Sequence, residues 1–499
     1  MEHLLSIIIL FPAIGALLGL LVDTKSIKTY GITISVIEFC LTLFLWVSFD
    51  SKAIGFQFQE IYSLIPSYGV NFHLGVDGIS IFLIVLSSFM AMLSMIGLQE
   101  KRDIKHLIIT ILMLEMTMTG VFAALDTILF YIFWEFSLVP VLYVIGGWGG
   151  KNRIYASVKF FIFTFSGSII MLIGILFLSH YYYTQTGTWS FSITDWFNVS
   201  LPYNIQLWLF GAFFLGFAIK IPMVPFHTWL PSAHTEAPTI GSVILASILL
   251  KMGSYGFIRF SLPLFPDATV YFVYPIAILA IIMIVYTSFV AFAQKNIKQM
   301  IAYSSIAHMG VITLGTFALN SEGITGSIFL MLGHGIVSGG LFLLVGMLYN
   351  RVHSKEIDAF SGLSTIMPMY AFMFAIMIIA SVAFPMTINF VGEFLIFLGF
   401  FQVSPTLTII AASAIVMGAI YSLYLFRKVF FGKLKDEHKI LKDLNKNELF
   451  TMVPIVVMTL ALGIYPKPIT DTIDTSVKHT LSIMKERAVL EETKRLINE

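Results

Sequence analysis

Six ionisable residues sit where a bilayer tolerates them least: Glu135 in LFYIFWEFSLVP, Lys220 in GFAIKIPMV, Lys251 in SILLKMGSY, His308 in SSIAHMGVI, His334 in LMLGHGIVSGG and Glu393 in NFVGEFLIF. Each lies near the middle of its own apolar segment. A lone charge at mid-bilayer costs from about 2.5 to well over 10 kcal/mol depending on the reference state, so such groups turn to the bundle interior and mark ion paths. One lysine pinned by a carboxylate, or one histidine satisfied in a core, is ordinary packing. A carboxylate, two lysines, two histidines and a second carboxylate at matching depth on six helices have the composition of a proton relay, because each can take and give a proton once burial has tuned it.

Lys220 and Lys251 lie in two neighbouring segments between 206 and 261, each with roughly ten apolar or small residues on either side, too deep to snorkel. The first segment is interrupted by Pro222, Pro225 and Pro231, which break the helical ladder just after Lys220 and free backbone carbonyls at membrane depth. Transporters build sites from helices broken in this way. Two histidines on neighbouring helices could also ligate haem, but a bis-histidine site needs small residues clearing room for the ring. Asp126 and Arg259 stand at span ends and read as topological or positioning groups. His227, His234 and Glu236 surround the proline breaks and either line a proton inlet or build the loop. There is no GxxxxGK[ST], no GxGxxG opening a helix after a strand, no CxxC and no HExxH, so the chain is expected to hydrolyse no nucleotide and to hold no cofactor or metal of its own.

The elements that must position these groups follow from composition. Hydrophobic residues make up 58% of the 499 and charged ones 11%, against roughly 25% charged in a soluble domain. Mean hydropathy is +0.90, which describes a polytopic membrane protein. The single cysteine, Cys40, lies in an apolar run, so neither an internal disulfide nor a thiolate cluster is possible. A net charge of +1 implies no nucleic-acid partner. The run from Leu4 to Val22 lacks a basic leader and a small-residue cleavage site and reads as a retained span.

Apolar segments of spanning length fall at roughly 3 to 22, 29 to 49, 78 to 97, 106 to 125, 127 to 146, 158 to 179, 206 to 235, 239 to 261, 271 to 293, 300 to 319, 326 to 349, 369 to 402, 406 to 431 and 449 to 465. These predict an all-α protein of about 14 transmembrane helices. Two segments, 206 to 235 and 369 to 402, are longer than a bilayer needs and contain proline (Pro222 and Pro385), which suggests paired broken helices in two related halves. Basic residues occupy alternate connections: Lys25 and Lys28; Lys101, Arg102 and Lys105; Lys151 and Arg153; Lys295 and Lys298; Arg351 and Lys355; then Arg427, Lys428, Lys433, Lys435, Lys439, Lys442 and Lys446. The intervening connections hold only Lys52, so the positive-inside rule puts the basic set in the cytoplasm and both termini outside. The connection at 236 to 238 belongs to the cytoplasmic set but has no basic residue. Outer loops 50 to 77 and 180 to 205 are aromatic, with Gly and Ser, and suit short strands or interfacial turns. The tail from 468 mixes both charges on a helical apolar period (Leu481, Ile483, Met484, Val489, Leu490, Leu496, Ile497) and reads as an amphipathic helix lying on a partner or on the membrane.

Three stretches, GVDGISIFLI at 75 to 84, FYIFWEFSLVPVLYVIGGWGGKNRIYASVKFFIFT at 130 to 164 and KIPMVPFHTWLPSAHTEAPTIGSVILASILLKMGSYGFIRF at 220 to 260, resemble the antiporter-like family of NADH:quinone oxidoreductase, respiratory complex I. The likeness covers nearly the whole chain. It implies 14 helices with two inverted five-helix repeats, each with one broken helix: residues 1–105 for helices 1 to 3, 106–261 for the first repeat with its break near Pro222, 271–431 for the second with its break near Pro385, and 449–499 for the last helix and tail. By resemblance Glu135 and Lys220 match the family's Glu and Lys pair, Lys251 and His308 its central connecting residues, His334 a further relay position and Glu393 the terminal exit. Sister L and N subunits and the related cation antiporters usually have lysine at that exit, so a carboxylate there favours the M type within the family.

The resemblance implies a subunit of the inner (plasma) membrane that neighbours other membrane-arm subunits, with sister antiporter-like chains on both sides. Protons would pass from Lys220 through Lys251, His308 and His334 to Glu393, switched by the approach or withdrawal of Glu135. A free-standing sodium/proton antiporter, a subunit of a hydrogenase-linked or photosynthetic complex, and a structural spacer are the competing readings.

Overall fold

The computed structural model describes residues 3–100 and 102–497. Lys101, one of the basic loop residues, lies outside the described residues. Among them, nine helices are long and apolar enough to cross a membrane: Ile27–Val47, Ile104–Ala123, Thr127–Trp148, Arg153–Thr186, Thr239–Leu264, Pro266–Phe292, Ser321–Val352, Pro405–Phe430 and Lys446–Ile464. Shorter apolar helices occupy Leu4–Gly19, Ile81–Ile96, Pro368–Ser381 and Ile388–Val403. Two further helices, Tyr203–Lys220 and Ile297–Thr316, carry Lys220 and His308. Helices Thr239–Leu264 and Ser321–Val352, which carry Lys251 and His334, are buried along their full apolar length and form the centre of the bundle.

Local chemistry fixes the ends. Asp126 accepts from the amides of Ile128 (2.9 Å) and Leu129 (3.1 Å), Asn296 caps Ile297–Thr316, and Asn445 with Glu448 forms a reciprocal capping box on Lys446–Ile464. Two spans break at proline. After Lys220 the chain leaves the helix over 221–228, with a cis Val224–Pro225 bond, before Trp229–Glu236 resumes it. In the second half the break falls between Ser381 and Ile388 and contains Pro385. A smaller irregularity at Ser137 divides Thr127–Phe136 from Leu138–Trp148. Pro140 accounts for it, since it lacks an amide and its ring crowds the carbonyl of Phe136.

The connections segregate to two faces. On the first, Gln99 donates to Glu448 (3.0 Å), Arg351 pairs with Glu448 (2.6 Å), Trp148 donates to the Arg102 carbonyl (2.6 Å), the Asn152 amide donates to Glu236 (3.0 Å) and Lys355 donates to the Thr235 carbonyl (2.6 Å). Lys28 reaches the Leu98 carbonyl and Lys105 the Leu20 carbonyl. The loops that carry the alternating basic residues therefore share one face, together with 236–238.

The opposite face holds a β-hairpin, strands Gln57–Ile65 and Val70–Val76, paired antiparallel with His73 opposite Ile61. Its turn requires Gly69: φ is +62°, and a Cβ there would lie 2.0 Å from the Trp189 carbonyl oxygen. Asp126 also accepts the Asn71 amide (2.9 Å), and Arg259 forms a buried bidentate pair with Asp77 (2.6 and 2.8 Å), so these two span-end residues anchor the hairpin to the bundle. The helix expected to end at 179 runs on to Thr186 before Gly187 terminates it at φ +75°. The span expected at 271 starts at Pro266, a favourable first helical position.

The tail corrects an expectation. Its helix, Lys467–Arg487, buries Ile469, Ile473, Val477, Leu481 and Met484 against the chain's own outer face rather than on a partner or on lipid. Ser476 accepts the Gly78 amide (2.9 Å), and the Arg487 guanidinium donates to the carbonyls of Trp196 (2.6 Å), Pro263 (2.9 Å) and Leu264 (3.4 Å).

Candidate proton path

Lys220 closes the last turn of Tyr203–Lys220, where backbone carbonyls lose their helical partners. With Pro222 unable to donate, the Met223 amide takes the Ala218 carbonyl (2.7 Å) and the Trp229 indole takes that of Ile219 (2.9 Å), so the resumed helix satisfies the first half's open end. The ammonium itself is buried at 1% exposure, 5.0 Å from the centre of the Trp134 ring and 3.4 Å from the Ser137 hydroxyl. Glu135 directly follows Trp134 on the same helix, is partly buried, and faces Tyr131 and Ser168. No ion pair within 4.0 Å joins Glu135 to Lys220 among the described residues. The two are electrostatic neighbours, not a closed pair.

Lys251 stands between two widened turns of Thr239–Leu264, the π-helical segments Leu245–Leu249 and Phe257–Ser261, a local form frequent at functional sites. Its ammonium, with no solvent exposure, donates to the Ala246 carbonyl in the first widened turn and lies 2.6 Å from His334 Nδ1. The His334 ring is 5.4 Å, centre to centre, from that of His308, and His308 Nδ1 is 3.1 Å from Glu393 Oε1. Beside His308 and Glu393 a cavity of about 30 Å³, lined also by Tyr421 and Ser288, is roomy enough to admit water.

Four of the six sequence-derived residues thus form one file in the order Lys251, His334, His308, Glu393, buried except at His308, which is partly exposed. The expected order, with His308 next to Lys251, is reversed for the two histidines. No hydrogen bond between described residues links Lys220 to Lys251. Their helices touch at Gly253, where a Cβ would lie 2.7 Å from the Phe217 carbonyl oxygen and 3.1 Å from the Ile221 amide.

The remaining candidates divide. His234 is fully buried, stacked on Phe342 (4.5 Å), with both ring nitrogens unpartnered, and lies within electrostatic reach of Lys251, Lys298 and His334. Lys298 was legible only as a loop charge, yet its ammonium is buried against the Ala237 carbonyl (2.9 Å) and Ser242 (3.4 Å). Lys355 on the same face is held below the ordinary lysine range by burial, opposed by Glu236. Glu236 itself binds the 149–152 turn, so the loop-building role holds for it. His227 faces Tyr286 and Tyr303 with Nδ1 unpartnered. Asn389, one turn before Glu393, is buried with its amide unpartnered and approaches Gly333, beside His334; nothing in the sequence pattern singled it out.

A membrane bundle with proline-broken helices and a buried file of lysine, histidine and carboxylate defines an ion-translocating membrane protein of the antiporter-like class. Residues 124–418 match the family described as NADH:quinone oxidoreductase/Mrp antiporter, TM. The chain is 44% identical to NADH-quinone oxidoreductase subunit M of Rhodobacter capsulatus, covering 96% of both chains, and 42% identical to NADH-ubiquinone oxidoreductase chain 4 of Marchantia polymorpha, covering 95% and 96%. Its fold superposes with a TM-score of 0.89 on a chain of respiratory complex I from Thermus thermophilus, at 30% identity, covering 96% of this chain and 99% of that one. The chain belongs to this NADH:quinone oxidoreductase/Mrp antiporter membrane family, on the branch of subunit M and chain 4.

Proposed function

We propose that the chain is a proton-translocating membrane-arm subunit of NADH:quinone oxidoreductase, carrying protons from the face of the basic loops to the face of the hairpin and tail helix. The observation that carries this reading is the buried file Lys251, His334, His308, Glu393, in which neighbouring groups alternate between proton donor and acceptor. The alternating loop charge makes the basic face cytoplasmic and puts both termini on the periplasmic side of the inner membrane. The chain needs no cofactor of its own for this; the driving energy comes from NADH oxidation and quinone reduction in other subunits.

Moving one proton against about 180 mV costs about 4 kcal/mol, at about 2.3 kcal/mol per 100 mV. A carboxylate that approaches or leaves a buried ammonium changes its proton affinity by this much. Glu135 and Lys220 supply such a switch, since they are near enough to interact but are not locked together. Beside Glu135 the exposed stripe Ile132, Phe136, Val139 and Tyr143 runs along the helix, an apolar surface suited to a neighbouring membrane subunit whose movement would work the switch. When Glu135 is near, Lys220 holds a proton from the cytoplasmic side; when it withdraws, the proton passes to Lys251 and along the file to Glu393.

The test is proton translocation in inverted membrane vesicles, with complex content measured on native gels. Lys220→Ala abolishes pumping. Lys220→Arg fails nearly as badly, because arginine keeps the charge but does not release its proton. An arginine variant that assembles and pumps at the parental rate would make Lys220 an architectural charge and overturn the reading.

A further inference from the structure

We infer that Glu38 and Glu115 form a second proton-binding site, a facing pair of carboxyl groups in the N-terminal helices, separate from the six-residue path. Neither side chain has any solvent exposure, and none of their four oxygens has a hydrogen-bond partner. No ion pair includes either of them among the described residues.

Register brings them together. Helices Ile27–Val47 and Ile104–Ala123 both begin on the basic face, where Lys28 and Lys105 are tied, and so run parallel. They meet at Gly31, whose Cβ position is 2.6 Å from Ile108 Cγ2. Seven residues on from Gly31 is Glu38 (31 + 7), and seven on from Ile108 is Glu115 (108 + 7). Seven residues are two helical turns, so the stripes that touch at Gly31 and Ile108 face each other again at the two carboxyls, about 10 Å deeper. Ser35, on the turn before Glu38, adds a buried hydroxyl that is also unpartnered.

Among the described residues, no ion pair supplies the pair with a counter-charge. Helices Leu4–Gly19 and Ile81–Ile96, which pack against the pair's helices, contain no titratable residue, and the Ser88 hydroxyl is taken by Thr42 (2.6 Å). Other elements against Ile104–Ala123 bring Tyr131, Glu135, Tyr143, Lys251, Tyr255 and, at its far end, His73. Of these, Lys251 is held by Ala246 and His334, Tyr255 by the Phe122 carbonyl (3.1 Å), and His73 by Gln59 and Ser192. Two bare carboxylates facing each other in a site without water or a cation would lose their hydration and repel, whereas a carboxyl dyad that keeps one or both protons avoids that cost. With no basic partner to receive it, the proton stays on the carboxyls, unlike a proton at Glu393 beside His308.

The experiment uses the complete purified complex at neutral pH and reads the infrared carbonyl band of protonated carboxylic acids, identified by its shift on deuteration. Parental complex is compared with Glu38→Gln, Glu115→Gln and the double variant, each near-isosteric. The double variant is expected to lose a band that the parental complex has, with assembly on native gels unchanged. Superimposable spectra would overturn the site, and so would loss of the band on adding sodium at fixed pH, which would make it a metal-cation site. Should the glutamine variants not assemble, the parental complex is treated with a hydrophobic carbodiimide, which adds to protonated buried carboxyls. An adduct on the Glu38 or Glu115 peptide by mass spectrometry supports the pair; none on either overturns it.

Discussion

Replacing His334 by glutamine isolates proton transfer from packing. His334 is the only described side chain bridging Lys251, 2.6 Å away, to His308, 5.4 Å away between ring centres. Glutamine fills most of the imidazole's volume, and its carbonyl oxygen can accept from the Lys251 ammonium, so that charge keeps a partner. Leaving it unpaired would cost several kcal/mol. What glutamine cannot do is bind a proton and release it. Loss of a positioned acid or base lowers a proton-transfer step by about 100-fold or more, which is about 2.7 kcal/mol on the barrier at 1.36 kcal/mol per tenfold. His334→Gln should therefore assemble normally and show proton pumping by this file reduced to about 1% of parental. The assay is proton uptake by inverted vesicles driven by NADH, normalised to complex content, with His334→Leu as the control that removes both functions and also reduces assembly. A glutamine variant that pumps at the parental ratio of protons to electrons would refute the file, because no other described side chain joins its two halves.

Three further outcomes follow from the geometry. In a Cys40→Ala background, Glu437→Cys places a thiol on an exposed position (71% side-chain exposure) of the basic face, and an impermeant maleimide should label it only from the cytoplasmic side; labelling from outside would invert the topology. Gly253→Ala presses a methyl against the Phe217 carbonyl and the Ile221 backbone, which cannot yield as a side chain can, and should cost about 1–3 kcal/mol of thermal stability and depress pumping more than Gly211→Ala, which meets open space. Arg487→Ala removes donors to the Trp196, Pro263 and Leu264 carbonyls, weakens tail docking by about 2–4 kcal/mol, and should make the Lys467–Arg487 helix protease-sensitive from the outer face; unchanged protection would show that its apolar face alone holds it.

Depth along a helix is legible in a sequence, and rotation of one helix against another is not. The spans, both proline breaks and the segregation of basic loops follow from hydropathy, proline chemistry and loop charge, each a property of the chain read locally. The six relay residues were visible for the same reason, since each is a charge out of place in an apolar run. Their order was not. Whether Lys251 meets His334 or His308 depends on the azimuth of three helices, set by close approaches at small residues such as Gly335 and Gly339 against Ser247, and by the widened turns around Lys251 that no residue pattern in SILLKMGSY announces. Lys298 read as a loop charge and His234 as either an inlet or a loop residue, because polar residues beside a helix start look like loop until something covers them. Glu38 in VIEFC and Glu115 in MLEMT are as far out of place in apolar runs as Glu135, yet the six relay residues do not include them; the register of their helices is what sets them side by side. The tail shows the converse limit: an amphipathic period states that a face will be covered, and the covering surface turned out to be the chain's own.

The break between Lys220 and Lys251 fits what a pump requires. A wire of donors and acceptors running unbroken from the basic face to the outer face would let protons return down the potential and dissipate about 4 kcal/mol for each one, at about 180 mV. Among the described residues a packed file runs from Lys251 to Glu393, its one step without a hydrogen bond being the 5.4 Å ring-to-ring contact of His334 with His308, while Lys220 is held apart beside Trp134 and Ser137. The separation falls where structure is most easily altered: Lys220 ends a helix broken over 221–228, and Lys251 lies between two widened turns. The Gly253 contact both holds the helices together and leaves Lys220 a separate station, which is why a methyl group at Gly253 should impair pumping out of proportion to its effect on stability.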